Sequence, residues 1–230
     1  MKTKLIEIAE NYTAELLMDA VLEQNPGRAC ITCSFQAEDM VLLDFVRRRV
    51  ADIPVLFLDT GYHFSETYAY RDRMAAAWNL NLINLLPAIS VTEQERSFGR
   101  LFTLDSTRCC QIRKVEPLMS TLENFDVWFT GLRREQSSTR AHLKKIEQHQ
   151  LPSGKQILKV SPLADWKWSN VLHYTEEQRI ERIPLYEQGY LSIGCEPCTS
   201  LPATGGDARS GRWAGKKLEC GIHTFTGRNG

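Results

Sequence analysis

Seven cysteines in a chain of 230 residues set the chemistry this protein can do, and they occur in different surroundings. Cys109 and Cys110 are adjacent in Thr107-Arg108-Cys109-Cys110-Gln111-Ile112-Arg113-Lys114, and Cys195 and Cys198 form a C-x-x-C in Ile193-Gly194-Cys195-Glu196-Pro197-Cys198-Thr199. Four thiolates suit one metal centre, and a centre shared by two pairs so far apart would clamp the end of the chain onto its middle. Zinc sites usually assemble from separated C-x-x-C-type knuckles, and an adjacent pair is an awkward knuckle. A four-iron cubane accepts neighbouring thiolates on different irons, so a [4Fe-4S] cluster held by all four is favoured over structural zinc or no metal. Arg108, Arg113 and Lys114 would stabilise thiolate, offset a cluster's negative charge and suit an anionic substrate.

The other three cysteines read differently. Cys30 and Cys33 share the C-x-x-C spacing, but on a strand residues three apart point to opposite faces, so Cys30 is read as core. Cys220 lies in Lys216-Lys217-Leu218-Glu219-Cys220-Gly221-Ile222-His223. Neighbouring cations lower a thiol's pKa, and a mobile tail can deliver such a nucleophile to a substrate held elsewhere; an incidental exposed thiol is the other reading of this segment.

The elements that must position these groups alternate in type. Leu5, Ile8, Ala9, Tyr12, Leu16 and Leu17 recur at helical spacing and predict one amphipathic helix over about 3–24, stopping at Asn25-Pro26-Gly27. Arg28 to Cys33 reads as a strand, Ser34 to Asp39 as a tight loop, and Glu38 to Val50 as a helix. Ile53 to Leu58 is a second strand, followed by the loop Asp59-Thr60-Gly61 and a helix from Phe64 to Trp78 with Ser65 as N-cap. Leu80 to Leu86 and Val127 to Thr130 are further strands. Gln148 to Lys155 reads as a surface connection or hairpin before Ile157 to Val160, and a helix follows near Asn170 to Ile180, with Trp166 and Trp168 as core anchors.

This alternation predicts an α/β fold, a parallel sheet flanked by helices, with ligands at the carboxyl ends of the strands. Three loops then converge on one edge: Ser34 to Asp39, Asp59 to Gly61, and Gly131 to Arg134. The first opens a helix, where backbone N–H groups and the helix dipole favour an anion. Asp59 suits ribose or adenine polar groups. His63, His142, His149 and His173 show no constellation and are read as surface or structural.

Composition excludes several classes. Twenty-eight basic and 28 acidic residues cancel, which gives no reason to expect bulk nucleic-acid or anionic-membrane binding. Acids interrupt the N-terminal stretch where a signal peptide would need an apolar core, no apolar run approaches a membrane span, and the odd cysteine count suits a reducing compartment; a cytosolic protein is expected. Seven of the 14 glycines fall in the last 26 residues, a tail that cannot pack a core of its own and is expected to be disordered or a lid.

Several motifs together resemble the assimilatory adenylyl-sulfate (APS) reductases, within the larger phosphoadenylyl-sulfate (PAPS) reductase family. They are Ser34-Phe35-x-Ala37-Glu38-Asp39, Leu58-Asp59-Thr60-Gly61, Cys109-Cys110-x-x-Arg113-Lys114-x-x-Pro117-Leu118, Gly131-Leu132-Arg133-Arg134, Gly189-Tyr190-x-Ser192-Ile193-Gly194-Cys195-x-Pro197-Cys198-Thr199, Gly211-Arg212-Trp213 and Glu219-Cys220-Gly221-Ile222-His223. The resemblance covers nearly the whole chain. It implies an adenine-nucleotide α-hydrolase-like (PP-loop) fold, with a nucleotide-binding domain over 1–204 carrying the cluster and a mobile catalytic tail over 205–230.

The implied reaction is reduction of adenosine 5'-phosphosulfate to sulfite and AMP in sulfate assimilation, with thioredoxin or glutaredoxin as electron donor. By this resemblance Cys220 is the catalytic nucleophile, and Cys109, Cys110, Cys195 and Cys198 hold the [4Fe-4S] cluster. Lys114, Arg133, Arg134, Arg209, Arg212 and His223 match positions able to stabilise the developing phosphate charge. Ser34, Glu38, Asp39, Asp59 and Gly61 complete the substrate site. PAPS reductases share the nucleophile segment but typically lack both cysteine pairs, so retention of all four points to adenylyl sulfate, with a PAPS reductase or a dual-substrate enzyme as the alternative. An RNA-modifying iron–sulfur PP-loop protein would need a basic surface and a glycine-rich ATP loop, and Ser34-Phe35-Gln36-Ala37 lacks the paired glycines. No nucleic-acid or membrane partner is expected, and the oligomeric state, a homo-oligomer included, is left open.

Overall fold

The computed structural model describes residues 2–25, 28–202, 208–215, 217 and 219–223. The strands are β1 (Ala29–Thr32), β2 (Pro54–Leu58), β3 (Asn81–Leu85), β4 (Val127–Phe129), β5 (Ile146–Gln150) and β6 (Gln156–Val160). They form one sheet in the order β3-β2-β1-β4-β6-β5, parallel except for β5, which pairs antiparallel with β6 as an edge hairpin. The polar connection expected over 148–155 is that hairpin, and its first strand begins at Ile146.

Helices cover both faces: α1 (Lys2–Ile8), α2 (Ala14–Gln24), α3 (Ala37–Arg47), α4 (Ser65–Ala77), α5 (Val91–Phe98), α6 (Leu101–Leu104), α7 (Ser106–Cys110), α8 (Glu116–Leu122) and α9 (Trp168–Glu177). Strand side chains alternate between two cores because successive residues point to opposite faces. Ile31, Val55, Phe57, Val127 and Phe129 pack with the first four helices and α9. Cys30, Leu56, Trp128 and Ile157 meet Leu118, Met119 and Leu122 of α8 on the other side.

Two boundaries differ from expectation. The single N-terminal helix is two, joined by a 3₁₀ turn at Ala9–Asn11, because the Thr13 hydroxyl accepts a hydrogen bond from the Leu16 amide and caps a new helix. Ser65 is the first residue of α4 rather than its N-cap, which is Phe64; its hydroxyl bonds Glu66 instead. Pro26 and Gly27, expected to stop α2, lie outside the described residues, as do 203–207, Lys216, Leu218 and 224–230 of the tail. Among the described residues no helix is long and apolar enough to cross a membrane.

Strand order reverses at β1, between β2 and β4, so the loops after these three strands open on one edge, the place where open α/β sheets bind ligands.

Candidate active site

The loop after β1 is built to hold itself rigid. Phe35 takes φ +60° and buries its ring against Phe57 and Tyr70, which turns the backbone so that the Ser34 amide and hydroxyl both donate to Asp39 Oδ2, at 2.7 and 2.6 Å. Burial pushes the Asp39 carboxyl up to about 6 despite those bonds. Glu38 Oε1 accepts from Arg133 Nη2 at 2.7 Å and from Gln136 Nε2 at 3.0 Å, so the loops after β1 and β4 are locked together. Gly131 permits this approach, since a Cβ there would collide with the Asp39 carboxylate.

The loop after β2 faces the cysteines. Thr60 Oγ1 lies 3.3 Å from Cys195 Sγ, the Tyr62 carbonyl accepts from the Glu196 amide at 2.7 Å, and His63 bridges to Cys195. Asp59 is occupied locally, accepting from the Gly61 amide at 3.1 Å and the Tyr68 hydroxyl at 2.6 Å, with Arg71 at 3.7 Å.

The four clustered cysteines are buried. Asp105 caps α7 by accepting from the Thr107 and Arg108 amides, which sets Cys109 and Cys110 at the helix end, where a π-helical stretch at Gln111–Val115 begins. Cys195 and Cys198 sit on a 3₁₀ turn closed by the Cys198 amide on the Cys195 carbonyl. Cys110, Cys195 and Cys198 pack in one cluster with Trp213, with Cys220 against it, and Cys109 feels the charge of the other three. Burial, then those neighbouring thiols, push Cys109 up to about 11. Burial also disfavours a thiolate at Cys195, but Lys114 and the Thr60 hydroxyl more than offset it and its pKa is lowered. Gln94 and Lys217 place nitrogen donors 3.9 and 3.5 Å from Cys109 and Cys110. The donor set is thus four thiols ringed by hydrogen-bond donors. Among the described residues no three thiol, imidazole or carboxylate groups converge closely enough to hold a single metal ion.

A cavity of about 480 Å³ runs from the sheet edge to Trp213 and Cys220, which pack on this cluster. It takes Ser34, Glu38 and Asp39 from the first loop, the cations Lys114, Arg133, Arg209 and Arg212, and Cys220 and His223 from the tail. Burial disfavours the Lys114 ammonium, but the thiols of Cys195, Cys220 and Cys110 outweigh that and raise its pKa. Arg212 lies against the backbone of Gly194, where any Cβ would collide with its guanidinium, and it donates to the Ile193 carbonyl at 3.0 Å. The described tail residues fold back onto the domain. Thr199 and Arg212 form a bridge, His223 stacks on Trp128 at 5.5 Å, and Lys159 Nζ donates to the His223 carbonyl at 3.1 Å.

Of the residues that the resemblance assigns to the substrate site, three stand outside the lining: Asp59 and Gly61, in the loop after β2, and Arg134, which turns away to donate to Glu10 at 2.6 Å and to the Leu143 carbonyl. Others enter unannounced. Trp168, expected as a core anchor, forms a wall with Arg133 5.6 Å from its ring centroid. His63 donates from Nε2 to the Leu58 carbonyl at 2.8 Å, and burial pushes its pKa down to about 4, so the neutral ring offers Nδ1 as an acceptor. Arg140 also lines the cavity. Its only sequence signal is charge, and it sits in a polar stretch with no periodicity.

Unsatisfied polar atoms concentrate here. Arg133 Nε, Arg212 Nε, Trp213 Nε1, His63 Nδ1 and His223 Nδ1 are buried without a hydrogen-bond partner, and all five residues line the cavity. Buried polar groups are ordinarily paired, so such a concentration marks a ligand site, and the N–H donors of Arg133, Arg212 and Trp213 with their cationic neighbours suit an anion.

A family model described as the phosphoadenosine phosphosulfate reductase domain matches residues 28–201. The chain is 40% identical over 214 residues to the adenosine 5'-phosphosulfate reductase of Rhodococcus opacus (strain B4), covering 92% of this chain and 85% of that protein. It is 41% identical over 216 residues to the protein of the same name from Streptomyces coelicolor, covering 93% and 89%. Among solved structures, the PAPS reductase of Candida auris in a phosphate complex superposes with a TM-score of 0.70 at 23% identity, over 84% of this chain and 93% of that one. The FMN adenylyltransferase of Candida glabrata superposes with a TM-score of 0.63 at 15% identity, over 87% and 66%. At these identities the structural matches speak to fold alone, and they agree with the expected PP-loop-like nucleotide-binding architecture.

Proposed function

The chain belongs to the phosphoadenosine phosphosulfate reductase family, and on that premise we propose how its residues reduce adenosine 5'-phosphosulfate to sulfite and AMP in assimilatory sulfate reduction. It is an oxidoreductase acting on a sulfur group, as its relatives' names and its near-complete overlap with them indicate. The observation that carries the mechanism is the meeting of Cys220 with unpaired donors and cations in one cavity.

The nucleotide lies along the carboxyl edge of the sheet, between the loops after β1 and β4, with the phosphosulfate toward Lys114, Arg133, Arg209 and Arg212. The Cys220 thiolate attacks sulfur, the bond from sulfur to the phosphate oxygen breaks, and AMP leaves with the electron pair. Cations around that oxygen stabilise the charge as it develops. The product on the enzyme is an S-sulfocysteine. One thiol of a thioredoxin-type donor attacks Cys220 Sγ and releases sulfite, and its second thiol resolves the mixed disulfide, supplying the two electrons and restoring the Cys220 thiol. Such a donor is kept reduced in the cytosol, where this reading places the protein.

The four clustered cysteines fit a [4Fe-4S] centre: all are thiols, all are buried, and hydrogen-bond donors stand beside them. When bound, that centre supplies a fixed buried charge that orders the cavity's inner wall. Lys114, between the cysteines and the cavity, links the two.

The test is to mix anaerobically prepared protein with adenosine 5'-phosphosulfate, and separately with its 3'-phosphorylated analogue, without donor. Intact mass should show one sulfonate adduct with the first, mapped to Cys220, and Cys220→Ser should keep its iron but make no sulfite. Unchanged turnover by that variant would sink the mechanism, and an adduct formed only with the analogue would reassign the substrate.

A further inference from the structure

Next to the nucleophile, Glu219 makes four side-chain hydrogen bonds. It accepts from Arg140 Nε at 2.8 Å and Nη2 at 2.7 Å, from Thr139 Oγ1 at 3.0 Å and from Ser137 Oγ at 3.3 Å. Arg209 Nη2 stands 3.9 Å away. The three side chains are 12, 10 and 11% exposed for Glu219, Arg140 and Arg209. Two charge-assisted bonds to one guanidinium, largely shielded from water, fix both position and orientation. Since Cys220 is the next residue, whatever holds Glu219 also sets where the thiol sits.

The same guanidinium faces the cavity. Arg140 and Arg209 both line it, and burial together with repulsion from Arg140 and Arg212 pushes Arg209 down to about 10. This corner carries excess positive charge, and Glu219 supplies the anion. A phosphosulfate entering the cavity seeks the same donors.

We propose that Glu219 is a positioning residue with two linked roles: its ion pair with Arg140 holds Cys220 over the cavity, and its carboxylate occupies cations for which the anionic substrate competes. Glu219 thereby fixes the place of the thiol at the expense of substrate affinity. This rests on Cys220 being the nucleophile, but its alkylation test does not.

Glu219→Gln keeps the size of the side chain and removes its charge. With the full chain and no substrate, alkylation of Cys220 by iodoacetamide, followed by peptide mass and read at the high-pH plateau where the thiol is fully ionised, should rise about tenfold, as expected for loss of one such ion pair. The KM for adenosine 5'-phosphosulfate should fall and kcat should fall with it. Unchanged alkylation overturns the latch, and a raised KM overturns the competition. Exchanging the charges, Glu219→Arg with Arg140→Glu, should restore slow alkylation relative to Glu219→Arg alone; failure to do so also overturns the latch. An active Cys220→Ser would remove the nucleophile and leave these alkylation results standing.

Discussion

Two stretches of this chain share the spacing C-x-x-C, and the fold uses them in opposite ways. Cys30 lies on β1 and Cys33 just beyond it, so their side chains enter different cores: Cys30 packs with Leu56 and Trp128, Cys33 with Phe35 and Phe57. Cys195 and Cys198 flank a 3₁₀ turn that brings both thiols to one cluster. The first pair is surrounded by apolar side chains, and burial raises both pKa values. Around the second, Lys114 and Arg212 face the thiols. A spacing acquires chemical meaning only from the backbone beneath it and the charges around it.

Substitutions in the two regions should therefore fail differently. The largest effect is expected from Cys195→Ala, which should lose bound iron and nearly all turnover, measured by iron content and sulfite release; a fully active iron-free protein would erase the distinction between the pairs. Lys114→Met, removing the cation between the cysteines and the cavity, should lower kcat by about a hundredfold, the scale of one lost charge-stabilising donor, with the fold intact by circular dichroism. Cys30→Ala should leave kcat unchanged and lower unfolding free energy by about 1–2 kcal/mol, as for a small buried truncation, in a urea titration.

The smallest effect concerns His149, which packs on Trp128 beside Cys30's strand. Burial and then Lys159 push its pKa down to about 4 from 6.5. Between those values the folded protein binds fewer protons than the unfolded chain, so stability is lost as pH falls from 6.5 toward 4. His149→Gln should flatten that loss while changing little at pH 7.

What was legible in the sequence follows from how local its causes are. The strands and their loops could be read because apolar runs and turn residues lie next to one another; Leu56 and Asp59 announce a buried strand and its end. The thiols stand out in the sequence because they are few and their neighbours are charged. Arg134 was misplaced because adjacent arginines look alike in sequence, and only the turn after β4 decides that Arg133 faces Glu38 while Arg134 meets Glu10. Trp168, His63 and Arg140 were missed for the converse reason: each earns its place from partners far along the chain, and nothing beside it in sequence says so. The split of the first helix hung on a single Thr13 hydroxyl in a pattern otherwise compatible with continuous periodicity.

The stitching of Cys195 to the loop after β2, through the Glu196 amide and the His63 bridge, has a bearing on biogenesis. Cys109 and Cys110 leave the ribosome about 85 residues ahead of Cys195, roughly 4–17 s at ordinary synthesis rates. During that interval half of the thiol set is made and the surface that completes it does not exist. The four thiols can therefore meet only after Cys198 has been made.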